Sequence, residues 1–387
     1  MREILELRRI GFDVRVASIR GTDRPFDRLT AEEQQEQSST FYIKPGGAVL
    51  ALTAHLRMLT TRPLRYARTF GCAFRLAGMN LRALWLNLLY FAEAVVFADW
   101  MKRTYLTHVH MHFTTTVGLL ASRLLPMITS ATIHGPDEFT DPAGFHLPEK
   151  AATFDLLCTI SDYGRSQLMR FSDVAHWNKF RVSRLGIDPT RFAARPARDN
   201  PSPVEILFVG RLARVKAPYI LIAAVDDLIR QGRELRLRLI GDGPERAGLE
   251  QDVTQRGLSA CVIFEGSQNA DRVLEFYRQA DIFALPSFAE GIPVVLMEAM
   301  SMEIPCVSTW ITGVPELIRD GVDGLLVTPS STDSLAEALR RLVDDPALRS
   351  RLGSAARRRV TENYDLSRNT AGLADLLRET GRQGKFR

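Results

Sequence analysis

Between Gln37 and Ala92 the chain has no acidic residue, yet Lys44, Arg57, Arg62, Arg65, Arg68, Arg75 and Arg82 all stand there. A patch of one sign suits an anionic membrane surface or a phosphorylated acceptor. The plainer reading is a solvated face of a helical hairpin. Over the whole chain the bias is mild, 50 Lys and Arg against 45 Asp and Glu, and a net +5 is too little to argue for nucleic acid. Cysteine is scarce too: Cys72, Cys158, Cys261 and Cys306 form no CxxC pair, which removes the usual thiol metal and redox motifs. Cys158, Cys261 and Cys306 lie in or beside apolar runs and read as buried small hydrophobes in a reducing, cytoplasmic compartment. No clean membrane-length apolar run occurs. Residues 81–101 are long enough, but Arg82, Asn87, Glu93 and Asp99 interrupt them, which favours a core-facing helix over a span. The first residues are charged and no apolar stretch follows, so no signal peptide is expected. Repeats, low-complexity tracts and coiled-coil heptads are absent.

What is present suits two domains: 387 residues, 45% hydrophobic and 25% charged. A helix at 2–9 precedes a strand at 12–19, and polar residues 21–39 read as a long loop. Helical patterns cover about 48–60 and 64–103, and strands follow at 106–111, 127–133, 154–160 and 180–185. Residues 188–203, rich in Pro, Arg and Asp, read as a linker. A second series alternates strands at 204–209, 235–240, 262–264 and 282–285 with helices at 218–230, 244–256 and 270–279. This alternation predicts an α/β protein of two doubly wound parallel sheets, residues 1–190 and 204–364, with a last helix in 365–387. Ligands of such sheets bind outside the strands' carboxyl ends, so a cleft between the domains is the expected site.

Residues 285–300, LPSFAEGIPVVLMEAM, carry the strongest chemical pattern. An apolar strand runs into Pro286 and Ser287, a tight loop holds Glu290, Gly291 and Ile292, and a helix opens at Pro293. The free amides that begin this helix, at Val294 and after, favour an anion, most simply a phosphate. Glu290 and Glu298 flank that place. Carboxylates repel a phosphate unless they take the neutral hydroxyls of a sugar or ribose, which points to a nucleotide-sugar.

The whole pattern, PS-x-x-EG-x-P-x-x-x-MEAM, resembles glycosyltransferase family 4, whose members have the GT-B fold of two Rossmann-like domains. The resemblance spans nearly all of the chain and is strongest from Phe208 to Tyr364. It implies a retaining transferase moving a sugar from a nucleotide-sugar donor to a lipid-linked or polysaccharide acceptor in cell-surface polysaccharide synthesis. FVGRLARVK resembles the family's GR-x4-K segment, so Gly210, Arg211 and Lys216 are expected to turn the chain and hold the donor diphosphate. Gly241, with Asp242 and Gly243, resembles a backbone device beside the nucleotide. WITGVPELI resembles the family's GG-x-PE-x-I turn, which brings Glu316 near the donor, although Thr312 replaces the first glycine.

His134 ends the strand at 127–133, followed by Gly135 and Pro136. It resembles the family's strand-end histidine that meets the transferred sugar near its reacting carbon; the alternative is a capped loop histidine. Asp137 and Glu138 follow and could meet an acceptor hydroxyl. His108, His110 and His112 share one strand face and could bind a metal. No Cys, Asp or Glu stands near in sequence to complete that site, and the resemblance is to a structural strand. No Asp-x-Asp occurs anywhere, so metal-dependent neutralisation of a diphosphate lacks its usual ligands, and no metal or other cofactor is expected.

The resemblance implies departure of the diphosphate stabilised by Arg211, Lys216 and the helix at Pro293, with attack by an acceptor hydroxyl from the same face. Glu290 would orient the sugar and Glu298 the ribose. Other readings on this fold are a nucleotide-sugar epimerase, a phosphorylase, or a non-catalytic sugar-nucleotide-binding partner. One expectation concerns a gap. The chain opens on a helix, where a doubly wound domain opens on a strand that is central in the order 3-2-1-4-5-6. About 20 to 30 residues, one strand and its loop, are therefore expected ahead of Met1.

Overall fold

The computed structural model of the chain describes residues 1–22, 26, 29–196, 198 and 201–384. Parts of the expected loop at 21–39 and of the expected linker at 188–203 lie outside the described residues. The chain divides into two compact units, residues 1–183 with 370–387, and residues 184–369.

In the first unit the expected strand at 12–19 shrinks to β1 (Ala17–Ser18), which pairs in parallel with β2 (Phe41–Tyr42). A separate parallel sheet runs β3 (His108–His112), β4 (Ile128–Ile133), β5 (Leu156–Thr159) and β6 (Phe180–Val182) in sequence order. An open cavity of about 380 Å³ separates the two sheets, with Val14, Val16 and Ala17 on one wall and His108, His110 and Met111 on the other. Both walls are strand edges. Ile128 donates its N–H to the Thr107 carbonyl at 2.8 Å, so Thr107, Val109 and Met111 turn their peptide groups toward β4. The alternate groups, at His108 and His110, face the cavity and pair with no strand among the described residues. Opposite them, Val16 and Ser18 accept from Phe41 and Ile43 at 2.9 Å each, which turns Arg15 and Ala17 toward the same space. The cavity lies between these two unpaired edges.

Two loop and helix expectations are corrected. Residues Ala31–Ser39 form a helix, not a loop, because Thr30 and Glu33 make a capping box: the Glu33 N–H donates to Thr30 Oγ1 at 3.3 Å and the Thr30 N–H to Glu33 Oε2 at 2.9 Å. The helical pattern at 64–103 breaks into Pro63–Ala77 and Leu81–Arg103. Gly78 takes a left-handed φ of +57° between them, and Asn80 Oδ1 caps the next helix by accepting from the Arg82 and Ala83 amides. Helix Leu81–Arg103 is long and apolar enough to cross a membrane by length and composition alone. Its Phe91, Ala94, Val95 and Ala98 nevertheless sit in the core of the unit, against helix Thr115–Leu124 and helix Gly47–Thr61. Leu373 and Leu377 of helix Leu366–Gly384 pack on Leu156 and Cys158. Cys158 and Cys306 are buried as expected, Cys261 is only half-buried, and Cys72, for which no burial was expected, is buried too.

The second unit is one parallel sheet of β7 (Val204–Val209), β8 (Leu235–Ile240), β9 (Val262–Gly266), β10 (Ile282–Leu285), β11 (Cys306–Thr309) and β12 (Leu325–Val327). The order β12-β11-β10-β7-β8-β9 is the doubly wound pattern, with its reversal between β7 and β10. Strand β10, buried at all four positions, reads IFAL because a strand covered on both faces has no need to alternate.

Buried carboxylates are held by arginines across elements. Glu36, on helix Ala31–Ser39, is gripped by both terminal nitrogens of Arg8, at 2.5 and 3.0 Å, which ties that helix to helix Arg2–Arg9. Replacing Arg8 by Ala leaves a buried carboxylate without its partner and should cost about 1.5 to 3 kcal/mol. Urea unfolding would register this as a lower midpoint, and an unchanged midpoint would show that Glu36 finds another partner.

Candidate active site

The reversal between β7 and β10 brings two loops together that are far apart in the sequence. β7 runs into Gly210 and Arg211, then into the short turn Arg214–Lys216; β10 runs into Pro286, Ser287 and Glu290. The Phe288 N–H donates to the Val215 carbonyl at 2.8 Å and locks one loop to the other. Lys216 Nζ donates to Glu290 Oε1 at 2.6 Å, and Ser287 Oγ donates to the same oxygen at 2.6 Å. Glu290 is buried, and its partners are what allow a carboxylate there. Arg211 is exposed and makes no ion pair among the described residues.

Gly291 is half-buried, Ile292 and Pro293 are buried and Val294 is exposed at the entry to helix Val294–Ser301, whose N-cap is Pro293. No side chain caps this helix, so its first amides remain available to a ligand. Glu298, one turn in and buried, accepts from Tyr277 Oη at 3.1 Å; that hydroxyl also lies 3.2 Å from the Val295 carbonyl. Glu290 and Glu298 therefore do not share one environment. The first is bound to a cation and the second to a phenol.

Gly241 and Gly210 meet at the ends of β8 and β7. Gly241 has φ +135°, and a Cβ there would stand 1.9 Å from the Gly210 carbonyl oxygen, so only glycine fits. Gly210 itself is not left-handed; it matters because the neighbouring loop packs on its bare backbone. Thr312 sits where the family's first glycine stands and takes a left-handed φ of +44°. Its hydroxyl donates to the Glu290 carbonyl at 2.5 Å, which offsets strain that a β-branched residue feels in this region. Glu316 is half-buried, 3.8 Å from Arg184, and its carbonyl accepts from Arg359 and from Tyr364 Oη.

In the first unit His134 follows β4. Its Nε2 lies 2.7 Å from His112 Nδ1, and its ring stacks on Phe113 at 4.6 Å between centroids. Burial, with His112 beside it, pushes the His134 imidazole down to about 4, so it is neutral near pH 7. Asp137 is exposed at the start of the short helix Asp137–Thr140, while Glu138 is buried and its carboxyl is raised by burial. Lys150 is fully buried, its Nζ has no hydrogen-bond partner among the described residues, and burial pushes it down to about 8 despite nearby Glu138. The histidine strand does gain a carboxylate that its local sequence lacks: Glu3, His110 and His112 bring ligand atoms within 4.8 Å of one another. The rings are already engaged, however. His110 bonds Ser130 and Thr132 through its two nitrogens at 2.9 and 3.0 Å, and His112 Nε2 lies 3.1 Å from Glu3.

Residues 191–359 match the family described as glycosyl transferases group 1. This segment is a group 1 glycosyltransferase domain. The chain is similar to alpha-D-kanosaminyltransferase of Streptomyces kanamyceticus, 32% identical over 260 residues, 63% of this chain and 66% of that protein. It is also similar to the Escherichia coli (strain K12) protein named for colanic acid biosynthesis glycosyltransferase WcaL, 36% identical over 220 residues, 54% of each. The chain thus spans less than two thirds of the length of these curated relatives. Anabaena Alr3699/HepE, solved in complex with UDP-glucose, superposes with a TM-score of 0.65 at 21% identity, over 73% of this chain and 82% of that one. That likeness supports the fold, the Rossmann-like units of GT-B glycosyltransferases.

Within the glycosyltransferase domain, sequence reasoning named Lys216 and Glu290 but not their bond, and it missed Tyr277. The signal for Tyr277 is faint, an aromatic on the inner face of helix Ala270–Gln279. Lys150 was missed because a lysine in LPEKAAT reads as solvated.

Two outcomes follow. Replacing Thr312 by Val keeps the strain and loses the hydroxyl bond, and should cost about 1 to 2 kcal/mol; Gly relieves the strain and should be near neutral. Equal thermal midpoints for the two variants would count against this account. The second outcome is pH dependence. Unfolded imidazoles take a proton near pH 6.5, whereas burial keeps folded His108, His110 and His134 neutral further down. Below about pH 6.5 the unfolded chain binds more protons, so stability is full above that pH and falls toward pH 4. His134→Asn should flatten part of this fall in denaturant titrations at pH 7, 6, 5 and 4.5.

Proposed function

We propose that the protein is a retaining glycosyltransferase that moves a sugar from a nucleotide diphosphate donor to a hydroxyl of a lipid-linked or polysaccharide acceptor, in cell-surface polysaccharide assembly. One observation carries the reading: at the strand reversal the loop that carries Arg211 and Lys216 is bonded to the loop that carries Glu290, which leads into the uncapped start of a helix whose Glu298 is likewise buried and hydrogen-bonded. The cations and helix amides suit a diphosphate, and the carboxylates suit neutral hydroxyls. The printed names of the relatives, a kanosaminyltransferase and a colanic acid glycosyltransferase, support sugar transfer and polysaccharide assembly. The UDP-glucose bound by Alr3699/HepE supports a nucleotide-sugar donor.

In this reading the bond between the anomeric carbon and the donor phosphate oxygen breaks, and its electron pair stays on the diphosphate. Arg211, Lys216 and the amides at Val294 and Val295 stabilise that charge as it develops. The acceptor hydroxyl forms the new bond from the face the diphosphate leaves, and its proton passes to the departing phosphate oxygen. Glu290 orients the sugar hydroxyls through the oxygen that Lys216 and Ser287 do not take, and Glu298 holds the ribose. Glu290 is a poor covalent nucleophile here, because one of its oxygens is already bound twice. With two cations and a helix terminus to hold the leaving group, the reaction needs no metal. For residues 1–183 we assign neutral His134 to a sugar hydroxyl, and Asp137 and Glu138 to the acceptor.

The test is donor binding and turnover with a panel of labelled nucleotide-sugars. Arg211→Ala and Lys216→Ala should each weaken donor binding by about 10- to 100-fold, the equivalent of one charge-assisted contact. Lys216→Ala also leaves Glu290 unpaired, so Lys216→Arg serves as the control that keeps the charge. Donor affinity within twofold of wild type in both alanine variants would overturn the assignment. Binding without transfer to any acceptor would favour the non-catalytic reading.

A further inference from the structure

Twelve of the 25 large apolar side chains exposed among the described residues fall between Val49 and Leu89, on three consecutive helices of the first unit and the turn between the last two. On helix Gly47–Thr61 they are Val49, Leu52, Leu56 and Leu59, whose spacing of three, four and three puts them on one outward stripe. The opposite side of the same helix buries Ala54 and Met58. An apolar stripe on the core side is ordinary, but a second one facing water is not. The exposure peaks at the turn between the next two helices, where Met79 is 101% exposed, Leu81 82% and Trp85 65%.

The charges of this region sort themselves in the fold. Lys44 and Arg57 are neutralised from within, by Glu93 at 3.0 Å and Asp99 at 2.7 Å. Arg62, Arg65, Arg68, Arg75 and Arg82 make no ion pair among the described residues. They stand on or beside the helix that carries Leu64, Phe70 and Phe74, or next to Leu81 at the turn. Unpaired arginines interleaved with exposed leucines, phenylalanines and a tryptophan match the boundary between lipid headgroups and acyl chains.

We propose that residues 62–89 are a docking surface for an anionic lipid bilayer, with Met79, Leu81 and Trp85 entering the headgroup and upper acyl region. The arginines meet the lipid phosphates. The contact is interfacial and does not span the membrane: the second half of helix Leu81–Arg103 is packed in the core, and its Glu93 and Asp99 are bound to Lys44 and Arg57. A second copy of this chain fits the surface poorly. A self-paired interface would set five unpaired cations against the same five, with no acid between residues 37 and 92 to offset them. The inference does not depend on the transferase reading, since it rests on other residues.

Co-sedimentation of the full chain with phosphatidylcholine vesicles, with and without 30% phosphatidylglycerol, decides it. The expected result is binding that requires phosphatidylglycerol and drops about tenfold or more as salt rises from about 0.1 to 0.5 M. Arg65→Gln with Arg68→Gln and Arg82→Gln should lower binding at least tenfold, as should Met79→Ser with Leu81→Ser and Trp85→Ser. These positions are exposed, and circular dichroism checks that the variants stay folded. Brominated phosphatidylcholine mixed with phosphatidylglycerol should quench tryptophan emission of the unmutated chain, a readout that needs no variant. Equal binding to both vesicle types, no quenching, or a lipid-free dimer that dissolves when Trp85 is changed would overturn the proposal, the last in favour of a second copy.

Discussion

The bond between Lys216 and Glu290 depends on one topological fact, that β7 and β10 are neighbours. Residues 74 positions apart meet because the sheet reverses its order between those strands. The pair then sets the shape of everything around it. Ser287 completes the carboxylate, Thr312 clips the Glu290 carbonyl, and Phe288 fastens the loop to Val215. A carboxylate this buried would be costly alone, so the loop has one conformation in which it is tolerated and several partners that enforce it. A cation, two hydroxyls and a helix terminus are thus held in place before any ligand arrives, which is the arrangement that electrostatic stabilisation of a leaving group requires.

Both units are built on parallel strands, but only the second has the reversed strand order. In residues 184–369 the sheet is continuous and its interior strands have partners on both sides. In the first unit two parallel sheets face each other across a cavity, and each leaves peptide groups turned into it. The polar side chains nearby are better served. Ser130 and Thr132 lie within hydrogen-bond distance of His108 and His110, so the histidine strand acts as a ladder of partners for hydroxyls on β4. Burial keeps these rings uncharged, and the same neutrality extends to His134 at the strand end.

The most legible parts of the sequence were those whose physics is local. Apolar runs located most strands to within a few residues, and PSFAEGIPVVLMEAM announced a strand, a loop and an uncapped helix start in one stretch. Local signals were also missed. Thr30 with Glu33 is a capping box hidden in a polar stretch, and Gly78 with Asn80 ends one helix and starts another inside an unbroken apolar pattern. Family resemblance named Gly241 but could not say that its lost side chain would strike the Gly210 carbonyl.

Charge was the property that the sequence reported least well. Seven basic residues without a local acid looked alike, yet Lys44 and Arg57 find Glu93 and Asp99 while the other five make no ion pair among the described residues. His112 showed no carboxylate within reach along the chain, and Glu3 arrives from its far end. The sequence by itself determined the alternating α/β class, the doubly wound second unit and the residue types at the loop ends. Periodicity, glycine and proline act over a few residues and can be read there. Only the tertiary structure decided which charges are paired, which apolar faces stay uncovered, and where a cavity remains between two sheets. Those depend on distances between residues far apart in sequence, and Coulomb energy and burial follow distance in space.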